Sequence, residues 1–284
     1  MAERHDPRIT PARPDLAARH LKGKVAAARF VEGELREVLD AQAPVRAAPS
    51  PDAPLLTEAL SGERVSVYEQ SEEGWCWGQL AGDGYVGWLP ANALGRPGPA
   101  PTHKVSALRT LVFPGLSIKL PPVDALSFGC ALAVARTEGD FAATRGGFVP
   151  ARHLALIDAD EPDFVAVAER FLGVPYLWGG KTSLGLDCSG LVQLALTAAG
   201  IRCPRDSDMQ EALGIPVATT GDLSDLRRGD LVFWKGHVAI ARDGKTLVHA
   251  NAFHMAVAIE PAADAIARLR AMGSEVTSVK RIER

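Results

Sequence analysis

The chain has 284 residues, more than one small domain needs and enough for two or three. Apolar residues make up 47% and charged residues 23%, and a net charge of -3 without a basic tract excludes nucleic acid as the main partner. No apolar run approaches the ~20 residues of a membrane span, and the opening "MAERHDPRITPARPD" has no apolar core of a secretory signal.

Residues 1–40 read as an N-terminal extension, with Asp15 capping a short helix over residues 16–21. Residues 41–96 hold short β-branched or aromatic runs, "RVSVYEQ" and "GWCWGQLA", bounded by Gly and acidic turn residues. "AGDGY" reads as a hairpin turn, because Asp-Gly suits positive φ. After the linker "GRPGPAPT", residues 103–157 echo the first stretch. "GYVGWLPANAL" (84–94) aligns with "TRGGFVPARHL" (144–154), and "EEGWCWGQL" is similar to "TEGDFAATR", an internal repeat in two copies. Each copy resembles a bacterial SH3-like domain, which implies two small all-β barrels. The second has Phe148 where the first has a tryptophan.

The pattern changes at residue 160. Phe164, Val165, Val167, Ala168, Phe171 and Leu172 follow helical spacing, closed by Gly173 and Pro175. A second helix runs from Cys188 to Ala199, and the short strands "GDLVFW", "HVAIARD" and "TLVHAN" follow. Helices followed by strands predict an α+β domain over residues 160–284.

The second helix has almost no polar face, so it belongs in the middle of its domain. Asp187 is placed as its N-cap and Gly200 as its C′ residue. Cys188 then sits at the positive end of the helix dipole, a site that favours the reactive thiolate. The four cysteines, Cys76, Cys130, Cys188 and Cys203, form no CxxC pair and no zinc spacing, so free thiols in a reducing cytoplasm are expected.

A thiol nucleophile needs a base and a group to orient that base. His237 and His249 fall in two consecutive predicted strands. "RDG" between them reads as a three-residue hairpin loop with Gly244 left-handed, which pairs Ala241 with Lys245 and sets His237 opposite His249. Directly opposed residues share a face, so the two imidazoles project side by side. The alternative is a buried structural thiol with a turn histidine and a core histidine. His5, His20, His103, His153 and His254 are left as surface or packing residues.

"YLWGG", "LDCSGLV", "RRGDLVFW", "GHVAI" and "LVHA" resemble, in order, the signature blocks of the NlpC/p60-type cysteine peptidases. The resemblance implies a papain-like layout and a catalytic set of Cys188 (nucleophile), His237 (base) and His249 (orienter), with no cofactor or metal. SH3-like repeats ahead of such a domain are similar to one subgroup, the γ-D-glutamyl-L-diamino acid endopeptidases. The implied substrate is a murein-derived peptide such as L-Ala-γ-D-Glu-diaminopimelate with a free L-Ala amine. By that resemblance Tyr85, Glu63 and Asp187 bind the amine, and Arg205 and Ser207 hold the D-Glu carboxylate. Ser189 joins the substrate-binding set, and Tyr176 adds its hydroxyl to the Cys188 N–H as an oxyanion donor. The competing functions are a papain-like amidase or acyltransferase, a non-catalytic wall-binding module, and a zinc hydrolase lacking a usual fourth ligand.

Overall fold

The structure, a computed structural model, describes residues 5–218, 223 and 225–283. Contacts divide the chain into two compact units, Met1–Asp158 and Ala159–Arg284. Among the described residues no helix is long and apolar enough to cross a membrane.

The first unit is built from short strands. Its largest sheet has seven, in the order Leu55–Leu60, Gln42–Arg46, Val86–Pro90, Trp75–Leu80, Arg64–Gln70, Glu34–Val38 and Leu94–Gly95, all antiparallel. Inward residues such as Val45, Val65, Leu80 and Leu89 alternate with half-exposed ones and are fully or almost fully buried, as period-2 strands require. The two outer strands do not pair with each other, so the sheet is open and not the closed barrel expected; Leu94–Gly95 is too short to close it.

Residues 103–156 likewise form three small sheets and no closed barrel. The internal repeat still has a structural counterpart. Val86–Pro90 runs into a 3₁₀ turn at Ala91–Ala93, and Gly147–Pro150 runs into one at Ala151–His153, each entered through a proline.

The N-terminal reading needs correction. Leu16–Ala18 is a strand, paired in parallel with Arg29–Val31, and only Arg19–Leu21 is helical, as a 3₁₀ turn. Leu16, Ala17 and Ala18 are all wholly buried, with Leu16 packed on Trp77 and Val86, and one-turn helical amphipathicity cannot bury three consecutive side chains. The Asp15 carboxylate is taken by Arg13, at 2.8 Å and 3.1 Å, and not by a helix terminus.

The second unit is α+β. Asp163 caps Phe164–Glu169, its Oδ1 accepting from the N–H groups of Val165 and Ala166. Six antiparallel strands run in the order Ile215–Pro216, Val276–Arg281, Asp230–Trp234, His237–Ala241, Thr246–Asn251 and Ala256–Pro261. The Cys188–Ala198 helix packs on the His237–Ala241 and Thr246–Asn251 strands, and all but one of its residues are buried. Gly200 follows it with φ +75°, the left-handed conformation a C′ residue needs.

Candidate active site

Two turns deliver the histidines. Lys235 and Gly236, the latter at φ +76°, join Trp234 to His237, so His237 is the first residue of its strand. Ala241 then pairs with Leu247 and Ile240 with Val248. The expected pairing of Ala241 with Lys245 is therefore wrong by two residues. Gly244 is not left-handed; the Asp243 carboxylate shapes the loop, accepting from the N–H groups of Lys245 and Thr246 and from the Thr246 hydroxyl. A slip of two keeps every side chain on its face. His237 and His249 are diagonal neighbours instead of direct opposites, and they still meet. His237 Nε2 lies 2.9 Å from His249 Nδ1, with ring centroids 5.1 Å apart.

Cys188 opens the helix that packs on the strands carrying this pair. Its sulfur accepts hydrogen bonds from the backbone N–H groups of Ser189 and of Val238, the residue after His237. Its proton does not behave as the helix terminus alone predicts. Burial pushes the thiol up to about 12, and the Asp187 carboxylate acts in the same direction. Burial also holds His237 down at about 3, seconded by His249 and Arg268 and opposed by Glu260. A helix dipole is worth only about 0.3–1 kcal/mol near the surface and loses to desolvation here. Burial thus favours the uncharged form of each group, thiol for Cys188 and neutral imidazole for His237.

Tyr176 is half-buried, and its phenol is held protonated by burial first and then by the nearby Cys188 and Asp187. A protonated phenol beside the sulfur is a hydrogen-bond donor for an oxyanion. The first N–H groups of a helix lack intrahelical partners, which leaves the Cys188 amide as a candidate second donor.

Asp187, Ser189 and Arg205 form one buried cluster. Asp187 Oδ1 accepts from Gly190 N–H at 2.7 Å and from the Ser189 hydroxyl, and Oδ2 accepts from Gly179 N–H. Arg205, 1% exposed, grips both carboxylate oxygens at 2.9 Å and 2.6 Å and also donates to Ser189 Oγ and the Gly180 carbonyl. Arg205 thus braces the helix cap from inside, where the resemblance assigns it a substrate carboxylate. Ser207 starts the Ser207–Gln210 turn and is half-buried. Tyr85 and Glu63 belong to the first unit. The Tyr85 ring is 4% exposed in that unit's core, and Glu63 donates its N–H to Leu60 in a tight turn.

Glu260 was missed from the sequence. Its Oε1 lies 2.7 Å from His249 Nε2 and also receives Arg268. Burial raises the Glu260 carboxyl, but the bonds from His249 and the charge of Arg268 carry it net below the usual carboxylate range. A lone acid in the apolar run "AVAIEP", two strand positions from the partner of His249, was the available signal. Both nitrogens of His249 are engaged, and among the described residues no group of three or more His, Cys, Asp or Glu is arranged to hold a metal.

Residues 45–94 match the bacterial dipeptidyl-peptidase Sh3 domain, and residues 173–274 match the NlpC/P60 family. A γ-D-glutamyl-L-lysine dipeptidyl-peptidase of Bacillus subtilis is 30% identical over 211 residues, which cover 69% of this chain and 68% of that protein. A protein of the same name from Bacillus cereus is 35% identical over 35% of this chain, and dipeptidyl-peptidase 6 of Lysinibacillus sphaericus is 36% identical over 36% of it. The matches span about a third of each of these two relatives, 31% and 36%. The solved structure of an NlpC/P60 family protein from Bacillus cereus superposes with a TM-score of 0.72 at 20% identity, covering 87% of this chain and 99% of that one, and so shares the fold. With a thiol at a buried helix start and an imidazole pair on the adjoining sheet, the chain belongs to the NlpC/P60 family and is a peptidase of the cysteine type.

Proposed function

We propose that this chain hydrolyses the bond between γ-D-Glu and the diamino acid of murein stem peptides that carry a free N-terminal L-Ala, and that it does so on released peptides in a reducing, cytoplasmic compartment. The observation that carries the reading is the hydrogen-bonded series His237, His249 and Glu260, on the sheet against which the helix that opens with Cys188 packs. The names of the Bacillus relatives support the γ-D-glutamyl linkage, and four free cysteines support the compartment. We also read residues 41–96 and 103–157 as two SH3-like copies, after an extension at residues 1–40 and before a catalytic domain at residues 160–284.

The reaction follows from the site. As the Cys188 sulfur attacks the γ-carbonyl carbon, His237 takes the thiol proton. The oxyanion is met by the Cys188 N–H and the Tyr176 hydroxyl. His237 then gives its proton to the departing amine, leaving a thioester on Cys188. Water attacks that thioester as His237 removes its proton, and the acid product leaves with the thiol restored.

The test is incubation of the full chain with L-Ala-γ-D-Glu-diaminopimelate, with products weighed by mass spectrometry. Release of L-Ala-γ-D-Glu and free diaminopimelate is expected. Cys188→Ala should lose at least about 10³-fold of this activity with its melting unchanged. Acetylating the L-Ala amine should suppress cleavage. Turnover by Cys188→Ala at the wild-type rate removes Cys188 from the chemistry, and equal cleavage of the blocked peptide removes the free-amine requirement.

A further inference from the structure

The hydrogen-bonded series does not stop at His249. Glu260 sits at the C-terminal end of the Ala256–Pro261 strand, 7% exposed, with Oε1 2.7 Å from His249 Nε2. Arg268, from the helix Ala262–Ala271 that follows at once, closes on the same oxygen. The Arg268 guanidinium is itself positioned, lying 4.4 Å from the centre of the Phe253 ring. A strand, the next helix and a loop aromatic thus converge on one carboxylate behind the orienting histidine.

The donor and acceptor inventory gives this arrangement a consequence. An ionised carboxylate only accepts, so the proton between Glu260 and His249 must sit on His249 Nε2. A neutral imidazole with Nε2–H has a bare Nδ1, which must accept from His237 Nε2–H across the 2.9 Å contact. His237 then has its lone pair on Nδ1, the ring nitrogen left to act as a base. With His249 in the other tautomer its Nδ1–H would point at His237 Nε2. That nitrogen would have to be bare, and the His237 proton would move to Nδ1 and block the base.

We propose that Glu260, braced by Arg268, is a positioning residue that locks His249 as its Nε2–H tautomer and thereby makes Nδ1 of His237 the basic atom. The proposal rests on the reading of Cys188 as nucleophile and His237 as base. In the acylation step the sulfur proton passes to His237 Nδ1, the S–C bond forms, and the C–N bond breaks as that proton moves to the amine. Glu260 stays ionised throughout and exchanges no proton.

The experiment uses the full chain with ¹⁵N-labelled histidine and needs no peptide substrate. Imidazole NMR of the wild type should show His249 protonated at Nε2 alone and His237 protonated at Nε2 alone. A wild-type His249 protonated at Nδ1 overturns the proposal outright, whatever any variant does. Glu260→Leu should mix the tautomers and slow alkylation of Cys188 by iodoacetamide at neutral pH at least about tenfold, with Cys188 resolved by peptide mass from the other three cysteines. Glu260→Gln keeps an oxygen for both His249 and Arg268, and it should restore the wild-type tautomer and most of the alkylation rate. A folded Glu260→Leu with wild-type tautomers and rate also overturns the proposal. Failure of the murein substrate assignment leaves these readouts unchanged, and their failure leaves the Cys188→Ala result standing.

Discussion

Arg205 shows how burial decides what a single residue can do. Its guanidinium is 1% exposed and holds both oxygens of Asp187, which in turn caps the cysteine helix at Gly190 N–H. Removing one partner of a buried, hydrogen-bonded pair leaves a stranded charge and costs about 3–5 kcal/mol, while replacing both often costs far less. Arg205→Met should therefore lose stability on that scale in chemical denaturation. The double variant Asp187→Asn/Arg205→Met should recover part of the loss, since Asn retains an oxygen for the cap. A guanidinium that served a substrate carboxylate would behave otherwise: Arg205→Met would raise KM with its denaturation midpoint unmoved, and that result would reverse the reading.

At the scale of the element, the cysteine helix is placed by contact as well as by its cap. A Cβ on Gly190 would run into the backbone carbonyl oxygen of Gly180, beside Asp187 Oδ1. Neither atom can swing away, because Arg205 holds Gly180 and Asp187 together. Gly190→Ala should cost about 1–3 kcal/mol in overpacking and displace the sulfur enough to lower kcat on the order of tenfold or more. Melting and turnover equal to wild type would show that the helix is not seated there. The same helix was legible in the sequence, because a buried helix with Asp before it and Gly after it has few other solutions. The pairing of His237 with His249 was legible only as parity: period 2 fixed the shared face, while the Asp243 side chain, not Gly244, set the register. Glu260 escaped because its partner is a ring nitrogen reached across the sheet, a relation no local spacing carries. The Ala262–Ala271 helix and the Val276–Arg281 strand went unread although Pro261, Gly273 and the β-branched Val276, Thr277 and Val279 marked them.

For the whole molecule, a half-buried base held neutral by desolvation is a stability liability. His237 is held at about 3 by burial against an ordinary 6.5, so as pH falls below 6.5 the unfolded chain takes a proton that the folded chain refuses. Stability must then drop with falling pH, by up to about 1.4 kcal/mol per pH unit, until the folded value is reached. Glu260, whose folded carboxyl lies below its ordinary 4.5, acts with the same sign but only below that value. The window from pH 6.5 to 4.5 therefore separates His237 from Glu260. Calorimetry of the full chain at pH 6.5, 5.5 and 4.5 should show the wild type losing ground to His237→Gln by about 1 kcal/mol per pH unit in the transition of the second unit. If the two chains instead show the same pH slope, His237 is not held as a neutral ring, and the resting site is already the thiolate–imidazolium pair.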